Sequence, residues 1–249
     1  MAKNLNSDRV MGFWLTTPNW QMAEMLAIAG FRRVILDVEH GPFGHETLHT
    51  FIPFLKGLGM EVFCKVLAPE RSPIQTVLDF GADGVMIPHL QDFEHARLVT
   101  SYTKFPPTGD RSLAGGRAMG YKFQSDEWFG DTDRRTRCFA MIETAGALAD
   151  AARIAALPTV DGLFPGPTDL SLRRGRGMYK RTAEDWSDIE TIAAAAHASG
   201  KALVLPAWSP EERKRGIEEL KAEFVFSGLE MLFMATAVSG FAEQLKAGG

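Results

Sequence analysis

The sequence has few cysteines, little net charge and no long hydrophobic stretch. Only 2 of the 249 residues are cysteine, which excludes a disulfide framework and suits a reducing cytoplasm. The 27 basic and 31 acidic residues give a net charge of −4, so no strong cationic surface exists for nucleic acid or anionic lipid. The apolar runs are far shorter than the roughly 20 residues that cross a bilayer. We therefore expect a cytoplasmic protein without nucleic-acid or membrane partners.

Short apolar runs alternate with amphipathic helical patterns along the chain. Runs rich in Val, Ile, Leu and Phe are typical of strands buried on both faces of a parallel sheet. The predicted strands are Val10–Leu15, Arg33–Val38, Glu61–Val66, Gly84–Ile87, Arg137–Ile142, Asp161–Phe164, Ala202–Leu205 and Phe224–Ser227. Eight strands with intervening helices match a (β/α)8 TIM barrel, as one domain over residues 1–249. A doubly wound open sheet is the alternative, but no G-x-G-x-x-G pattern follows the first strand.

Two carboxylates follow neighbouring predicted strands, at the barrel end where active sites lie. Glu143 comes after the fifth strand and Asp169 after the sixth. Two carboxylates without a Cys/His set of zinc spacing suit Mg²⁺ or Mn²⁺, which prefer oxygen ligands and retain several waters. The alternative is that Glu143 caps the next helix and Asp169 caps a short turn.

The second and third predicted strands lead into acid–base and cationic residues. Asp37 precedes His40 by three residues and can hydrogen-bond its imidazole, which would raise the basicity of the ring. The alternative is a structural histidine at the tight turn before Pro42. Lys65 ends the third strand; it could form a Schiff base in a dry pocket, but the nearby carboxylates favour a charged lysine that stabilises an enolate. His89, at the end of the fourth strand, is a weaker candidate for the same site.

Three loops carry possible anion-binding groups. The segment 166–171 places Pro167 at a first helical position, which leaves the amides of Thr168 and Asp169 available to a carboxylate or phosphate. The glycine-rich loop around Arg111 and Ser112 can wrap an anion, although a solvated surface loop is the alternative. It belongs to a long segment, 105–136, without a clear strand or helix pattern, and such segments are often functional. The basic run 173–176 could contact an anionic substrate tail.

Five segments, taken in order, are similar to one enzyme family. They are Leu36–Pro42, Leu78–Pro88, Gly109–Ser112, Met141–Thr144 and Asp161–Ser171. With these segments the chain resembles the HpcH/HpaI aldolases, metal-dependent class II aldolases that act on pyruvate-type enolates. Beyond residue 171 the likeness is mainly the alternation of strands and helices. The resemblance implies a (β/α)8 barrel whose last helix is often exchanged between subunits of a homohexamer.

The resemblance also implies roles for individual residues. It makes Glu143 and Asp169 the ligands of a divalent metal. It makes His40, supported by Asp37, the acid–base group that works with a metal-bound water. Lys65 stands where the family usually has arginine to hold the enolate oxygen, and lysine lacks the bidentate fork of arginine.

Further residues are implied to bind the substrate. Gly166, Thr168 and Asp169 fall where the family holds pyruvate through backbone amides and the metal. Asp79 falls where the family has a carboxylate near a neighbouring subunit's site. Pro165, the run 173–176 and the segment 206–208 depart from the family pattern and indicate a divergent subgroup.

We therefore expect a carbon–carbon lyase that cleaves and forms aldol products through a pyruvate enolate and an aldehyde acceptor. Its substrates would be a small keto acid and an aldehyde, and oxaloacetate decarboxylation would be a side activity. One alternative is a citrate-lyase-like or malyl-CoA-like enzyme acting on an acyl-CoA. Another is a catalytically altered relative that only binds a metal and a keto acid.

Overall fold

The computed structural model describes residues 10–247, so both ends of the predicted 1–249 domain lie outside the described range. Its strands are β1 Met11–Leu15, β2 Arg33–Asp37, β3 Glu61–Lys65, β4 Gly84–Ile87, β5 Arg137–Ile142, β6 Gly162–Pro165, β7 Ala202–Pro206 and β8 Phe224–Leu229. Every predicted strand is present, with ends that differ by two residues or fewer. The apolar runs identify the strands correctly because buried parallel strands are apolar on both faces.

The eight strands form one closed parallel barrel in sequence order. β8 closes the barrel by pairing with β1, with Met11 beside Val225 and a register shift between Gly12 and Phe13. The predicted (β/α)8 TIM barrel is therefore confirmed, and the doubly wound sheet is excluded. Because all strands run the same way, their carboxyl ends meet at one rim.

Helices connect the strands on the outside of the barrel. They are α1 Trp20–Ile28, α2 His45–Gly57, α3 Arg71–Asp79, α4 Phe93–Ser101, α5 Asp126–Arg135, α6 Ala145–Ala149, α7 Ala151–Ala155, α8 Pro167–Arg173, α9 Ala183–Ala198, α10 Pro210–Lys214 and α11 Glu230–Ala247. A 3₁₀ turn, Arg117–Met119, precedes α5, and a π-helical turn, Arg215–Glu219, follows α10. None of the helices in residues 10–247 combines the length and apolar character needed to cross a membrane.

The helices differ from the sequence pattern in three places. α2 is not predicted, and Pro53 lies in its interior, but its buried Leu48, Phe51, Ile52 and Leu55 form one apolar face. The long segment 105–136 contains α5, none of whose residues is buried. The segment 146–157, whose sequence pattern predicts one helix, instead contains two short helices that meet at Asp150.

Two separate clusters of apolar side chains hold the barrel together. One lies between the strands and the surrounding helices. The other fills the barrel interior and is dominated by aromatic rings. Its aromatic members are Trp14, Phe63, Phe139, Phe164, Phe224 and Phe226. Such layers of bulky side chains make the interior a packed core rather than a channel, so substrates can reach only the rim.

Truncating a ring inside the barrel is expected to destabilise the fold. Phe226 is fully buried and lies 5.6 Å from Phe224 and 5.8 Å from Trp14 between ring centroids. We expect Phe226→Ala to lower the free energy of unfolding by about 3–5 kcal/mol, because it leaves a cavity in a close-packed core. Phe123→Ala is the matched control, since Phe123 is fully exposed and its loss should change stability by less than about 0.5 kcal/mol. Urea unfolding of both variants measures the difference, and equal effects would contradict it.

Candidate active site

The carboxyl ends of β2 and β3 bring an acidic and a basic side chain side by side. Asp37 and Lys65 are register partners at the last residues of these two strands. Both side chains are buried, and Nζ of Lys65 lies 3.8 Å from Oδ1 of Asp37. The strand ends therefore place a buried charge pair at the rim.

Glu39 is the principal partner of Lys65. Its Oε2 lies 2.6 Å from Nζ of Lys65. Burial alone would raise the pKa of Glu39, but the hydrogen bond and positive charge of Lys65 outweigh this and hold the pKa below its usual value. Glu39 therefore pairs with a basic residue at the rim.

Asp37 contacts His40 through the backbone rather than through the ring. The backbone N–H of His40 donates to Oδ1 of Asp37 at 3.2 Å, and the indole N–H of Trp14 donates to Oδ2 at 3.1 Å. Nε2 of His40 instead lies 3.6 Å from Oε1 of Glu39. The prediction that Asp37 hydrogen-bonds the imidazole is therefore wrong, because the turn after β2 directs the Asp37 carboxylate to the His40 amide. The ring itself is 63% exposed at the rim.

His89 lies at the centre of the site, although the sequence makes it only a weak candidate. Its Nε2 lies 2.5 Å from Oε1 of Glu39, and its backbone N–H donates to Oε1 of Glu143 at 2.6 Å. Its φ of 56° is in the left-handed region, which is uncommon for a residue other than glycine and often marks functional sites. The signals in the sequence are its place directly after β4 and the preceding Pro88, which bends the chain out of the strand.

Glu143 is a buried carboxylate that does not cap a helix. Only 1% of its side chain is exposed, and burial raises its pKa, with a further rise from the negative charge of Asp169. The alternative that Glu143 caps α6 is excluded, because the Thr144 side chain accepts from the amide of Ala147 in that role. Two carboxylates close enough to repel one another, one of them buried, form a suitable site for a cation.

Gly166 has no side chain, which leaves room for the side chain of Glu143. A Cβ built on Gly166 would lie 2.7 Å from Cβ and 2.8 Å from Oε2 of Glu143, so any larger residue would displace the carboxylate. Gly166 also precedes α8, whose first turn contains Thr168 and Asp169. Backbone amides in a first helical turn lack intrahelical partners. Gly166, Thr168 and Asp169 therefore follow the strand end that packs on Glu143, and their binding roles stay predictions.

The donor chemistry near Glu143 fits a divalent metal ion. It consists of carboxylate oxygens, as hard cations prefer, packed against the backbone of Gly166. Among the described residues, ligand atoms of Asp37, Glu39 and His40 also lie within 4.8 Å of one another. In that second group the ammonium of Lys65 already neutralises the carboxylates. An acidic group capable of holding a metal is thus present at the rim.

Arg111 and Asp79 form an ion pair at the opposite end of the barrel. Nη2 of the buried Arg111 donates to Oδ1 of Asp79 at 2.9 Å. Arg111 lines a cavity of about 200 Å³ together with Asp83 and Thr136, which directly precede β4 and β5. Ser112 is exposed. Both residues lie at the amino ends of the strands, so Arg111 does not contact the rim of its own chain, and its role in substrate binding stays a prediction. A contribution of Asp79 to a neighbouring subunit stays a prediction.

Two of the three arginines in the run 173–176 are held by α9. Arg174 lies 3.3 Å from Asp188, and Arg176 lies 2.6 Å from the same carboxylate. Nη2 of Arg173 instead lies 3.1 Å from Nδ1 of His89, and the same Nδ1 lies 3.1 Å from Oε1 of Glu143. The basic run is therefore neither wholly solvated nor wholly directed at the site.

The fold and the rim together define a (β/α)8-barrel enzyme with an acidic site at the carboxyl ends of its strands. The chain belongs to the HpcH/HpaI aldolase/citrate lyase family, whose model matches residues 10–237.

Individual relatives agree with this assignment. The chain is 34% identical to 2-dehydro-3,6-dideoxy-6-sulfogluconate aldolase of Pseudomonas putida, over 65% of this chain and 63% of that protein. It is 28% identical to hydroxypyruvate/pyruvate aldolase of Cupriavidus necator, over 95% of this chain and 88% of that protein. The fold is similar to the crystal structure of an HpcH/HpaI aldolase from Desulfitobacterium hafniense DCB-2, with a TM-score of 0.88, 24% identity and coverage of 97% and 95%.

The family predicted from the five sequence segments is therefore confirmed. The chain is an enzyme of an aldolase family, as expected, and the relatives above carry aldolase names. The alternative of an acyl-CoA lyase gains no better support, although the family description includes citrate lyase.

Filling the space at Gly166 is expected to weaken metal binding. Gly166→Ala would place a methyl group against the Glu143 carboxylate. We expect about a 10-fold or greater rise in the dissociation constant for Mn²⁺, measured by electron paramagnetic resonance of the free ion. Gly57→Ala is the control, because a Cβ there meets open space on α2. Unchanged Mn²⁺ affinity in Gly166→Ala would contradict the geometry.

Proposed function

We propose that the protein is a divalent-metal-dependent aldolase that cleaves 4-hydroxy-2-oxo acids to pyruvate and an aldehyde. Cleavage breaks the bond between C3 and C4, removes the proton of the 4-hydroxyl, and moves the electron pair onto the keto oxygen as an enolate. Protonation of C3 then gives pyruvate. The observation that carries the proposal is the buried carboxylate of Glu143, beside Asp169, at a rim that also holds a buried cation and an exposed imidazole.

Glu143 and Asp169 would hold the metal, with Mg²⁺ or Mn²⁺ favoured by the all-oxygen donor set. When bound, such an ion polarises the keto oxygen and neutralises the charge that develops on it. The amides of Thr168 and Asp169, at the first turn of α8, would bind the keto-acid carboxylate. The absence of a side chain at Gly166 leaves room for the Glu143 carboxylate beside this turn.

Lys65 would stabilise the enolate oxygen through its charge. Its ammonium is fixed by Glu39 at 2.6 Å, so it needs little reorganisation as negative charge develops. Lysine replaces the arginine usual in the family, so one point charge would act in place of a two-pronged contact.

His40 would move the proton of the 4-hydroxyl. Its imidazole is the exposed acid–base group at the rim, and Asp37 fixes the backbone from which the ring projects. Asp37 is therefore a positioning residue in this proposal, and Glu39 is the carboxylate nearest to the His40 ring.

Deuterium exchange at the pyruvate methyl group tests the proposal without an aldehyde. We expect Mn²⁺-dependent exchange in D₂O, followed by NMR, with a loss of about 100-fold or more in Glu143→Gln, because the variant removes one negative ligand charge. Glu61→Gln is the matched control, since Glu61 pairs with Arg33 at the amino end of β3, far from the rim. Absence of exchange in the wild type, or exchange unaffected by EDTA, would contradict the proposal.

We also propose that the protein is a homo-oligomer, a hexamer by resemblance, assembled through α11. In the described part of the chain, this helix has many exposed apolar side chains, more than the surface of a soluble monomer usually exposes. They are Met231, Leu232, Phe233, Met234, Val238, Phe241 and Leu245. A second copy of the chain would cover them. Two buried cysteines are too few for a disulfide framework, which supports a cytoplasmic location.

A charge on the apolar surface of α11 should break the assembly. We expect Phe241→Glu to lower the molar mass measured by light scattering after gel filtration, because an uncovered carboxylate resists burial at an interface. Gln244→Glu adds the same charge to a polar position of the same helix and should leave the mass unchanged. A monomeric wild type, or an unaltered mass in Phe241→Glu, would contradict this assembly.

A further inference from the structure

The imidazole of His89 lies between two carboxylates, and each of its nitrogens faces one of them. Nε2 lies 2.5 Å from Oε1 of Glu39, and Nδ1 lies 3.1 Å from Oε1 of Glu143. Glu143 is buried, whereas 40% of the His89 side chain is exposed at the rim. The proposed function gives this ring no role, although it joins both halves of the site.

Glu39 determines which nitrogen of the ring carries the hydrogen. Burial raises the pKa of Glu39, but the hydrogen bond and charge of Lys65 outweigh burial, so Glu39 stays ionised and can only accept a hydrogen bond. Nε2 of His89 must therefore be the donor in this contact. In a neutral imidazole with hydrogen on Nε2, Nδ1 carries a lone pair.

Arg173 gives independent evidence for the lone pair on Nδ1. Its Nη2 lies 3.1 Å from Nδ1 of His89, and a guanidinium has N–H donors but no acceptor. This contact is a hydrogen bond only if Nδ1 accepts. The same Nδ1 faces Oε1 of Glu143, which is also an acceptor. Two electron-rich atoms that face one another favour a cation that binds both.

The distance between these two atoms agrees with binding to one ion. Two ligands that each lie about 2.1 Å from an ion and subtend a right angle are about 3.0 Å apart. Nδ1 of His89 and Oε1 of Glu143 are 3.1 Å apart. Oε1 also accepts from the backbone N–H of His89 at 2.6 Å, which uses one of its two lone pairs and leaves the other for an ion.

The contacts around the ring resemble the usual surroundings of a metal-binding histidine. Such a histidine commonly donates its second ring N–H to a carboxylate, which fixes the orientation and tautomer of the ring. Glu39 occupies this position for His89, and Lys65 holds Glu39 in turn at 2.6 Å. The left-handed backbone of His89, with φ of 56°, brings its amide and Nδ1 to the same oxygen of Glu143.

We infer that Nδ1 of His89 is a ligand of the divalent ion at Glu143 and makes the site favour Co²⁺ or Mn²⁺ over Mg²⁺. The inference rests on the proposed metal-dependent function and adds one nitrogen to the oxygen ligands of that site. Imidazole nitrogen binds transition metals more strongly than it binds Mg²⁺. Arg173 is exposed at the end of α8, so its side chain is free to leave Nδ1 when the ion binds.

Electron spin-echo envelope modulation of bound Mn²⁺ tests the inference by detecting nitrogen next to the ion. We expect ¹⁴N modulation in the wild type and ¹⁵N modulation in protein made with ¹⁵N-histidine, a measurement that needs no variant. His89→Asn should abolish the signal, because it removes the ring. Asparagine also tolerates the left-handed backbone, so this variant should fold.

His40→Gln is the matched control, because His40 is the other histidine near Glu39. Its ¹⁴N modulation should equal that of the wild type. Loss of the signal in His40→Gln would place the ion at the group of Asp37, Glu39 and His40 and would overturn the inference. A wild type without nitrogen modulation, or an unchanged signal in His89→Asn, would also overturn it.

Metal selectivity gives a second readout. We expect His89→Asn to lower the ratio of the Mg²⁺ to the Co²⁺ dissociation constant by about 10-fold or more, because an oxygen ligand or water replaces the nitrogen. Isothermal titration calorimetry of both ions measures this ratio. An unchanged ratio in His89→Asn would contradict a nitrogen ligand.

The wild-type deuterium exchange at pyruvate separates this inference from the proposed function. Mn²⁺-dependent exchange without nitrogen modulation would overturn the role of His89 and leave the aldolase proposal standing. Absence of both Mn²⁺ binding and exchange would overturn the two together.

Discussion

The buried ion pair between Lys65 and Glu39 is the interaction on which the rest of the site depends. Glu39 contacts Lys65, His89 and, at longer distance, His40, so a single carboxylate joins the ends of β2, β3 and β4. Without the ammonium, the carboxylates of Asp37 and Glu39 would repel one another in a poorly solvated place. With it, the acidic residues of this half of the rim are balanced, and Glu143 is left as the buried negative charge of the other half.

This division of charge follows from barrel closure. Parallel strands in sequence order carry Asp37 and Lys65 to one side of the rim and Glu143 to the other. The aromatic interior below is packed and excludes ligand, so chemistry is confined to the rim. His89 bridges the two halves, since its ring contacts Glu39 and its backbone amide contacts Glu143. Its left-handed backbone conformation directs both groups inward at once.

The sequence predicts the barrel well and the site only in part. Strand positions follow from apolar runs, because burial on both faces leaves a strong local signal. Glu143 lies at the rim as expected, because a residue directly after a strand has little freedom of position. The partners of His40 and Arg111 could not be predicted in this way. A carboxylate three residues away can bond either an amide or a ring, and the pairing of Arg111 with Asp79 depends on how a long segment folds back across the amino end of the barrel.

The seven residues of α8 lie between two parts of the site. Its N-cap residue, Gly166, packs on the carboxylate of Glu143, while its last residue, Arg173, contacts His89. A substitution at the exposed last turn of α8 therefore changes a side chain beside His89 without disturbing the tight contact between Gly166 and Glu143.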